Sequence, residues 1–287
     1  MRKFELVSDF TPKGDQPGAI SKLIDGIQED YPLQTLLGVT GSGKTFTMAH
    51  VIQNLQRPAL VISPNKTLAA QLFSEFRHFF PNNAIHYFVS YYDHYRPEAY
   101  MPASDTFLEK EAQVNEEINR FRLASTTSLL TRRDVIVVAS VSCIYGIGSA
   151  ESYSSMKFEI KKNHEYNLDQ LKKKLVELQY KRNDQVHLRG TFRNRGDVLE
   201  IFPSHLEDKS WRISFFGDSV ESIREFDPFL GTITKEFEYI SIYANSHYVT
   251  PKPSLKKALE NIKTELTDRI AFFEGKKLFL EAQRIEQ

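Results

Sequence analysis

Eight consecutive residues, Gly38-Val39-Thr40-Gly41-Ser42-Gly43-Lys44-Thr45, carry the spacing G-x-x-x-x-G-K-[ST]. The chemistry of that spacing is phosphate binding. Glycines let the backbone curl so that successive N–H groups point inward at phosphate oxygens, and a helix N-terminus behind them adds its positive dipole end. The Lys44 ammonium would then reach the β- and γ-phosphates of a nucleoside triphosphate, and the Thr45 hydroxyl could ligate Mg²⁺. Such a loop needs a strand before it and a helix after it. The apolar run Thr35-Leu36-Leu37 predicts a buried strand, and Phe46, Ala49, Val51, Ile52 and Leu55 recur at helical spacing. Against this stands a chance glycine loop.

Two residues upstream have the right types to hold a purine. A Phe10 ring could stack on the base, and the Gln16 amide could pair with adenine N6 and N7. The alternative is a capped surface helix, Ala19 to Ile27, with a core phenylalanine. Downstream, Asn65-Lys66-Thr67 follow the strand pattern Ala59 to Pro64 and precede a helix from Leu68 to Phe80. That loop sits at the strand edge where open α/β sheets bind ligands, although Asn65 or Thr67 could simply cap the helix. Ile85 to Pro102 holds five of the thirteen tyrosines, among them Tyr91, Tyr92, Tyr95 and Tyr100, with Phe107 shortly after. Two prolines and scattered charges argue against a plain core strand. So many aromatics with polar neighbours suit a surface that stacks on bases or wedges into a duplex, the other reading being an aromatic edge of the core. Arg122, in the helical pattern that follows, is a possible phosphate contact.

Those residues must be carried by more than one body, and 287 residues suffice for about two. The first part alternates strand and helix, which predicts the α/β class with a parallel sheet and crossover helices. Val135 to Val141 is its most strand-like run, after which Cys143 to Ser149 turn away. Near Glu151 the pattern changes to short β-branched and aromatic strands at 186–193, 197–202 and 212–216, with Asn194-Arg195-Gly196-Asp197 as a hairpin turn and one helix from Leu168 to Tyr180 ahead of them. This reads as a separate α+β domain. Arg182, Arg189, Arg193, Arg195 and Arg212 form a basic set along it, either an ordinary charged surface or a face for an acidic protein partner. From Pro251-Lys252-Pro253-Ser254 a helix returns with Leu255, Leu259, Ile262, Leu266, Ile270 and Phe273 on one face, interrupted at Gly275.

Composition narrows the classes. With 37 basic and 37 acidic residues, overall charge does not advertise nucleic-acid binding, so any such site must come from local arrangement. A single cysteine, Cys143, excludes an intramolecular disulfide and a cysteine-rich zinc site, and its apolar surroundings predict a buried, inert thiol. No apolar run approaches the ~18 residues that would span a membrane, and the start of the chain lacks a signal peptide's apolar core. A reducing cytoplasm is the expected setting.

Taken together, Gly14-Asp15-Gln16-Pro17, the glycine loop, Asn65 to Leu72, Phe88 to Asp93, Pro97 to Tyr100, Ala139 to Gly146 and Arg189 to Arg193 with Gly196-Asp197-Val198 resemble the UvrB family. This is the damage-recognition subunit of the bacterial UvrABC excision-repair system. The resemblance runs in order through the whole chain. It implies a helicase-like lobe over 1–86 and 114–155 that binds ATP and Mg²⁺, and an aromatic β-hairpin at 87–113 behind which one strand of damaged double-stranded DNA is held. It also implies an inserted domain at 156–250 that docks UvrA, and a helix at 251–287 returning to the lobe. Phe10, Gln16 and Gly38 to Thr45 would hold ATP. Asn65, Lys66, Thr67, Tyr91, Tyr92, Tyr95, Tyr100, Phe107 and Arg122 would serve DNA, and Arg182, Arg193, Arg195 and Arg212 would face UvrA.

The chain also departs from the family pattern. His94 and Phe107 stand where tyrosine is usual, Arg96 where glutamine is common, and Ser63-Pro64 replace an Ala-His-like pair. Hydrolysis of ATP needs a strand-borne acidic motif and an arginine at the transition state. None of Glu29-Asp30, Glu116-Glu117 and Glu207-Asp208 follows an apolar strand. The family's second motor lobe and its UvrC-binding helices are also missing, so the resemblance is to an N-terminal part and implies little turnover alone. Two alternatives remain: a non-catalytic UvrA-binding module, or a fragment of another superfamily 2 helicase.

Overall fold

The computed structural model describes residues 2–145, 148, 150–250 and 252–287. Met1, Gly146, Ile147, Ser149 and Pro251, including part of the turn expected after Cys143, lie outside the described residues.

The glycine loop hangs between α1 (Gln16–Gln28) and α2 (Lys44–Leu55), and the chain then builds β1 (Ala59–Ser63), α3 (Lys66–Phe79) and β2 (Ala84–Phe88). The hairpin follows as β3 (Tyr92–Arg96), β4 (Ala99–Met101), β5 (Thr106–Leu108) and β6 (Glu111–Val114), leading into α4 (Glu116–Thr131) and β7 (Val135–Ser140). β7 pairs in parallel with β1 on one side and β2 on the other. All six of its residues are buried, the continuous apolar pattern of a parallel strand covered on both faces. One face packs Ile136 and Val138 against Phe76, Phe80, Ala49 and Ile52, and the other packs Val135, Val137 and Ala139 against Phe88. The free Cys143 lies half-buried against this second cluster.

Two strand expectations are corrected. Thr35-Leu36-Leu37 form no strand, and Leu37 is 93% exposed. A strand needs a neighbour to take its N–H and C=O groups. β1 is the edge of the sheet on that side, and its Leu60 and Ile62 are exposed too. At 186–190 side chains close a loop instead. Asn183 Oδ1 accepts from Gln185 N and Val186 N, and Thr191 Oγ1 accepts from Leu188 N while donating to its carbonyl. Such local side-chain bonds compete with a ladder. Tyr87 and Phe88, expected in the hairpin, belong to the central sheet.

Past α5 (Ala150–Ser155) the inserted region adds β8 (Lys157–Lys161), α6 (Leu168–Glu177), β9 (Lys181–Arg182), β10 (Thr191–Arg195), β11 (Val198–Phe202), β12 (Ser210–Phe216), β13 (Ser219–Phe226), β14 (Ile233–Glu236) and β15 (Tyr239–Tyr243). Strands β14 to β9 form one sheet in the order β14-β13-β12-β11-β10-β9, and β15 pairs with β8. Leu171 and Leu175 of α6 cover Phe192, Leu199, Ile201 and Ile213. Leu123 of α4 belongs to this same cluster, so α4 is shared between the two cores. The chain closes with α7 (Lys252–Gly275) and α8 (Phe279–Glu286). Leu255, Leu259 and Ile262 on α7 are exposed, so its apolar face does not return to the lobe core.

Burial, helped by nearby arginines, pushes His86, His187 and His247 down to about 4. In the unfolded chain each would titrate near 6.5. Below about 6.5 the unfolded state therefore takes up protons that the folded state refuses, so stability is full above that pH and falls as pH drops toward 4. The urea midpoint should be lower at pH 5 than at pH 7.5, and His247→Gln should flatten that difference; equal midpoints would contradict the neutral histidines.

Candidate functional site

The glycine loop is formed without a neighbouring strand. Gly41 and Gly43 adopt left-handed φ of 82° and 76°, and Gly43 opens α2, which suits glycine alone at little cost. Lys44 Nζ turns back onto its own loop, donating to Gly38 O at 2.8 Å and Val39 O at 2.9 Å. Ser42 N closes on Val39 O at 3.2 Å, around Thr40. The curl is tight: a Cβ on Gly38 would stand 2.6 Å from Ser42 Oγ. Thr45 lies in the first turn of α2, half-buried. These are the parts a triphosphate cradle requires, with the lysine's carbonyl partners standing where phosphate oxygens would compete for it.

Gln16 joins this loop to the turn before α1. Its Oε1 accepts from Lys13 N at 3.1 Å, and its Nε2 donates to Ser42 O at 3.0 Å. Phe10 is not a core residue; it is 77% exposed. With Ser8, Gln16, Phe46, His78 and Phe79 it lines a cavity of about 490 Å³, a size that admits a purine. Sequence reasoning missed His78 and Phe79, which come from the last turn of α3. Among the described residues no group of three His, Cys, Asp or Glu side chains is placed to hold a metal, so Thr45 is the only predicted Mg²⁺ ligand the loop supplies.

The aromatic residues form a ladder at the hairpin base. The Tyr91 and Tyr92 rings are 4.5 Å apart and Tyr92 and Tyr95 are 5.3 Å apart. The Tyr91 hydroxyl lies 3.3 Å from that of Tyr92 and 3.4 Å from that of Tyr248. Burial, then these hydrogen bonds, push the Tyr91 phenol well up, so it stays protonated. Tyr95 remains exposed. Tyr100 and Phe107 face each other farther out, across β4 and β5.

Arg122 is corrected. Its side chain is not offered to phosphate but buried, 3% exposed. Its Nη1 donates to Val89 O at 2.8 Å, and its guanidinium lies 4.2 Å from the Phe88 ring centre and 4.9 Å from that of Tyr91. It is the floor of the ladder. Lys66 also faces inward, donating to Tyr92 O at 3.1 Å. Asn65 caps α3 by accepting from Leu68 N at 2.8 Å, and Thr67 is exposed beside it.

At the tip, Tyr100 donates to Asp105 Oδ1 at 2.9 Å, and Asp105 takes two bonds from Arg284 of α8, at 3.1 and 2.7 Å. Those bonds, Arg284's first, hold the Asp105 carboxyl below its usual range. A cavity of about 890 Å³ between the hairpin tip and the last two helices is lined by Tyr100, Phe107, Phe273, Leu278 and Ile285. Neither Arg284 nor Tyr248 carries a sequence signal for these contacts, which join residues 179 and 157 positions apart.

The basic set on the inserted region splits in two. Arg193 Nε and Arg212 Nε both donate to Glu200, which is 6% exposed, the second at 2.7 Å. Burial opposes ionisation of Glu200, but the bonds from Arg193 and Arg212 outweigh it and its carboxyl is held below the usual range. Arg193 and Arg212, expected with Arg182 and Arg195 to face UvrA, are half-buried members of an ion triad. Arg182, paired with Asp184 at 2.9 Å, and Arg195 are exposed.

A family model for the UvrB interaction domain matches residues 158–248, and one for the res subunit of type III restriction enzymes matches residues 9–141. The chain is 52% identical over 287 residues to UvrABC system protein B of Carboxydothermus hydrogenoformans, which covers 100% of this chain and 43% of that protein. It is 54% identical over 284 residues to the Acinetobacter baylyi protein of the same name, 99% of this chain and 42% of that one. The Anaplasma marginale (strain Florida) protein is 55% identical over 285 residues, 99% and 44%. The chain thus spans less than half the length of these relatives.

Removing the shared carboxylate would leave two half-buried guanidinium groups facing each other, so Glu200→Gln should cost about 2–3 kcal/mol. Urea unfolding of the two proteins at pH 7 measures this, and an unchanged midpoint would show that the triad holds nothing.

Proposed function

Because the chain belongs to the UvrB family, we propose that it supplies the ATP-binding and damage-recognising part of a nucleotide excision repair protein. The observation that carries the reading is the juxtaposition of two sites on one body. The phosphate loop is tied through Gln16 to a purine-sized cavity, and the Tyr91-Tyr92-Tyr95 ladder, floored by Arg122 of α4, follows Val89, which packs in the same core as α2. ATP stacks on Phe10, with Gly38 to Thr45 around its phosphates. Lys44 exchanges its two carbonyls for phosphate oxygens, a stronger charge-assisted partner, and Thr45 ligates Mg²⁺.

The ladder meets one strand of damaged double-stranded DNA. Stacking is indifferent to sequence, which suits a reader of lesions rather than of bases. Tyr100 and Phe107 extend that surface, and Asn65, Lys66 and Thr67 flank it. The inserted region, 156–250, docks UvrA through Arg182 and Arg195, with Arg193 and Arg212 orienting the face from behind. The lobe comprises 1–86 and 114–155, and 251–287 runs to the hairpin tip. UvrC enters as a partner of the longer relatives, and the setting is cytoplasmic. Turnover of ATP by this chain alone is absent or slight, since none of the acidic pairs Glu29-Asp30, Glu116-Glu117 and Glu207-Asp208 follows an apolar strand.

A second reading has its own support. Leu37 and the outer face of β1 are uncovered, whereas the inserted region has a closed core. On this reading the chain works by docking UvrA, with the nucleotide site idle.

Lys44→Ala should weaken binding of a fluorescent ATP analogue at least tenfold, measured by anisotropy, while leaving UvrA capture unchanged. Equal affinity of the two proteins would remove the nucleotide site and favour docking alone. Tyr91→Ala and Tyr92→Ala should each weaken UvrA-dependent retention of a lesion-bearing duplex by about 1–3 kcal/mol. Gel-shift titration reads this, and undiminished retention in both would refute the DNA assignment of the ladder.

A further inference from the structure

The hairpin does not hold its base by its own strands alone. β3 and β6 pair from Tyr92↔Val114 outward, with an irregularity between Tyr92 and His94. Asn115 closes the ring at the root. Its N–H donates to Tyr91 O at 2.7 Å, and its Nδ2 donates to Asp93 Oδ2 at 3.1 Å. Its Oδ1 accepts from Glu117 N and Ile118 N, both at 3.1 Å. One residue is therefore the last of the hairpin and the N-cap of α4, so the first turn of α4 sets the direction in which the hairpin leaves the body.

That turn is gripped from the inserted region. Arg189 Nη1 donates to Glu117 Oε2 at 3.0 Å, and Arg189 Nε donates to the Glu207 backbone carbonyl at 3.0 Å. Glu117 Oε1 is bound by Arg120, whose guanidinium also stands 3.8 Å from Glu207, while Arg189 Nη2 stands 3.8 Å from Asp208. Two arginines thus alternate with three carboxylates. The Arg120 side chain is only 8% exposed and Arg189 33%, but Glu117 is 44% exposed and Glu207 and Asp208 more so, so the contact is a partly screened surface pair anchored on a buried arginine. The hydrogen bond from Arg120, ahead of the bonds from Arg189, keeps the Glu117 carboxyl below its usual range.

We propose that Arg189 is a positioning residue for the hairpin. By holding Glu117 in the first turn of α4, it fixes the root from which Tyr91, Tyr92 and Tyr95 project. It also links that root to the inserted region whose strands carry Arg182 and Arg195. The link rests on the reading of the ladder as a DNA surface and of the inserted region as a docking domain. Its consequence is that displacement at the docking face reaches the hairpin root through this charged contact at the start of α4, alongside the Tyr91–Tyr248 contact at the ladder itself.

The test is hydrogen–deuterium exchange on the 287-residue chain, comparing peptides over 90–96 and 111–119 with those over β11 to β13. The variants are Arg189→Gln, Arg189→Lys, Glu117→Gln, the double Glu117→Gln/Arg189→Gln, and Asn115→Ala as the control that removes the capping side chain. Partner capture and lesion-duplex retention are measured on the same proteins. Arg189→Gln and Glu117→Gln should each speed exchange at the hairpin root about two- to fivefold and leave β11 to β13 unchanged. The double should be no faster than Glu117→Gln alone, which already loses the Arg189 contact along with that to Arg120, and Arg189→Lys should restore most of the protection lost in Arg189→Gln. Partner capture should persist and duplex retention should fall. Unchanged root exchange in Arg189→Gln while Asn115→Ala responds would overturn the proposal. So would fully additive singles, or exchange rising throughout the inserted sheet. Root exchange that responds while duplex retention does not would sustain the positioning role and locate the failure in the DNA reading.

Discussion

A buried guanidinium must find acceptors within reach or the fold does not form, because removing such a charge from water costs several kcal/mol. Arg122 meets this in part, with the Val89 carbonyl and the faces of Phe88 and Tyr91, while its Nε is buried without a hydrogen-bond partner among the described residues. These partners come from the end of β2 and the root of the hairpin, so the charge pins the hairpin to the sheet. The burial that raises the phenol of Tyr91 is the same burial, and Tyr248 from the end of the inserted region completes the enclosure. Much of the rest follows from α4, which must present Arg122 to the hairpin root and Leu123 to the inserted core from adjacent positions.

That double duty explains why α4 resists a simple amphipathic reading. Arg120, Arg122, Ser125 and Thr127 are buried on it; Arg120, Arg122 Nη1 and Ser125 meet specific acceptors, while Arg122 Nε and Thr127 Oγ1 are buried without a hydrogen-bond partner among the described residues. Thr126 Oγ1 meets His247 Nε2 at 2.7 Å, and the neutral state forced on His247 by burial and by Arg122 lets it share a hydrogen bond there without adding a second charge. The two bodies meet through polar contacts along α4, the shared Leu123, and the contacts of Tyr248 with Tyr91 and His247 with Phe88. Such a junction is specific, and more easily shifted than a continuous apolar core.

The glycine loop, its helix and the β7 strand were legible because each is local: glycine conformations, helical spacing and an unbroken apolar run suffice. The tyrosine ladder was legible as a composition anomaly. What escaped depends on partners far along the chain. Leu36 and Leu37 have strand chemistry and no strand beside them, so the local pattern misleads. Arg122 reads as a phosphate contact, and Arg193 and Arg212 as a charged face, because nothing nearby in sequence shows Val89 or Glu200 waiting in space. Arg284 gave no signal, since a basic residue in a last helical turn has the helix dipole as sufficient reason, yet it holds Asp105 at the hairpin tip.

The account stands on the hairpin root as the surface that meets DNA. A lesion-bearing duplex carrying a photoreactive pyrimidine beside the lesion, loaded with UvrA and irradiated, would test this without altering the protein. Cross-linked peptides should contain Tyr91, Tyr92 and Tyr95. Cross-links confined to the inserted region, on the strands bearing Arg182 and Arg195, would contradict it and place the DNA on the other face of the molecule.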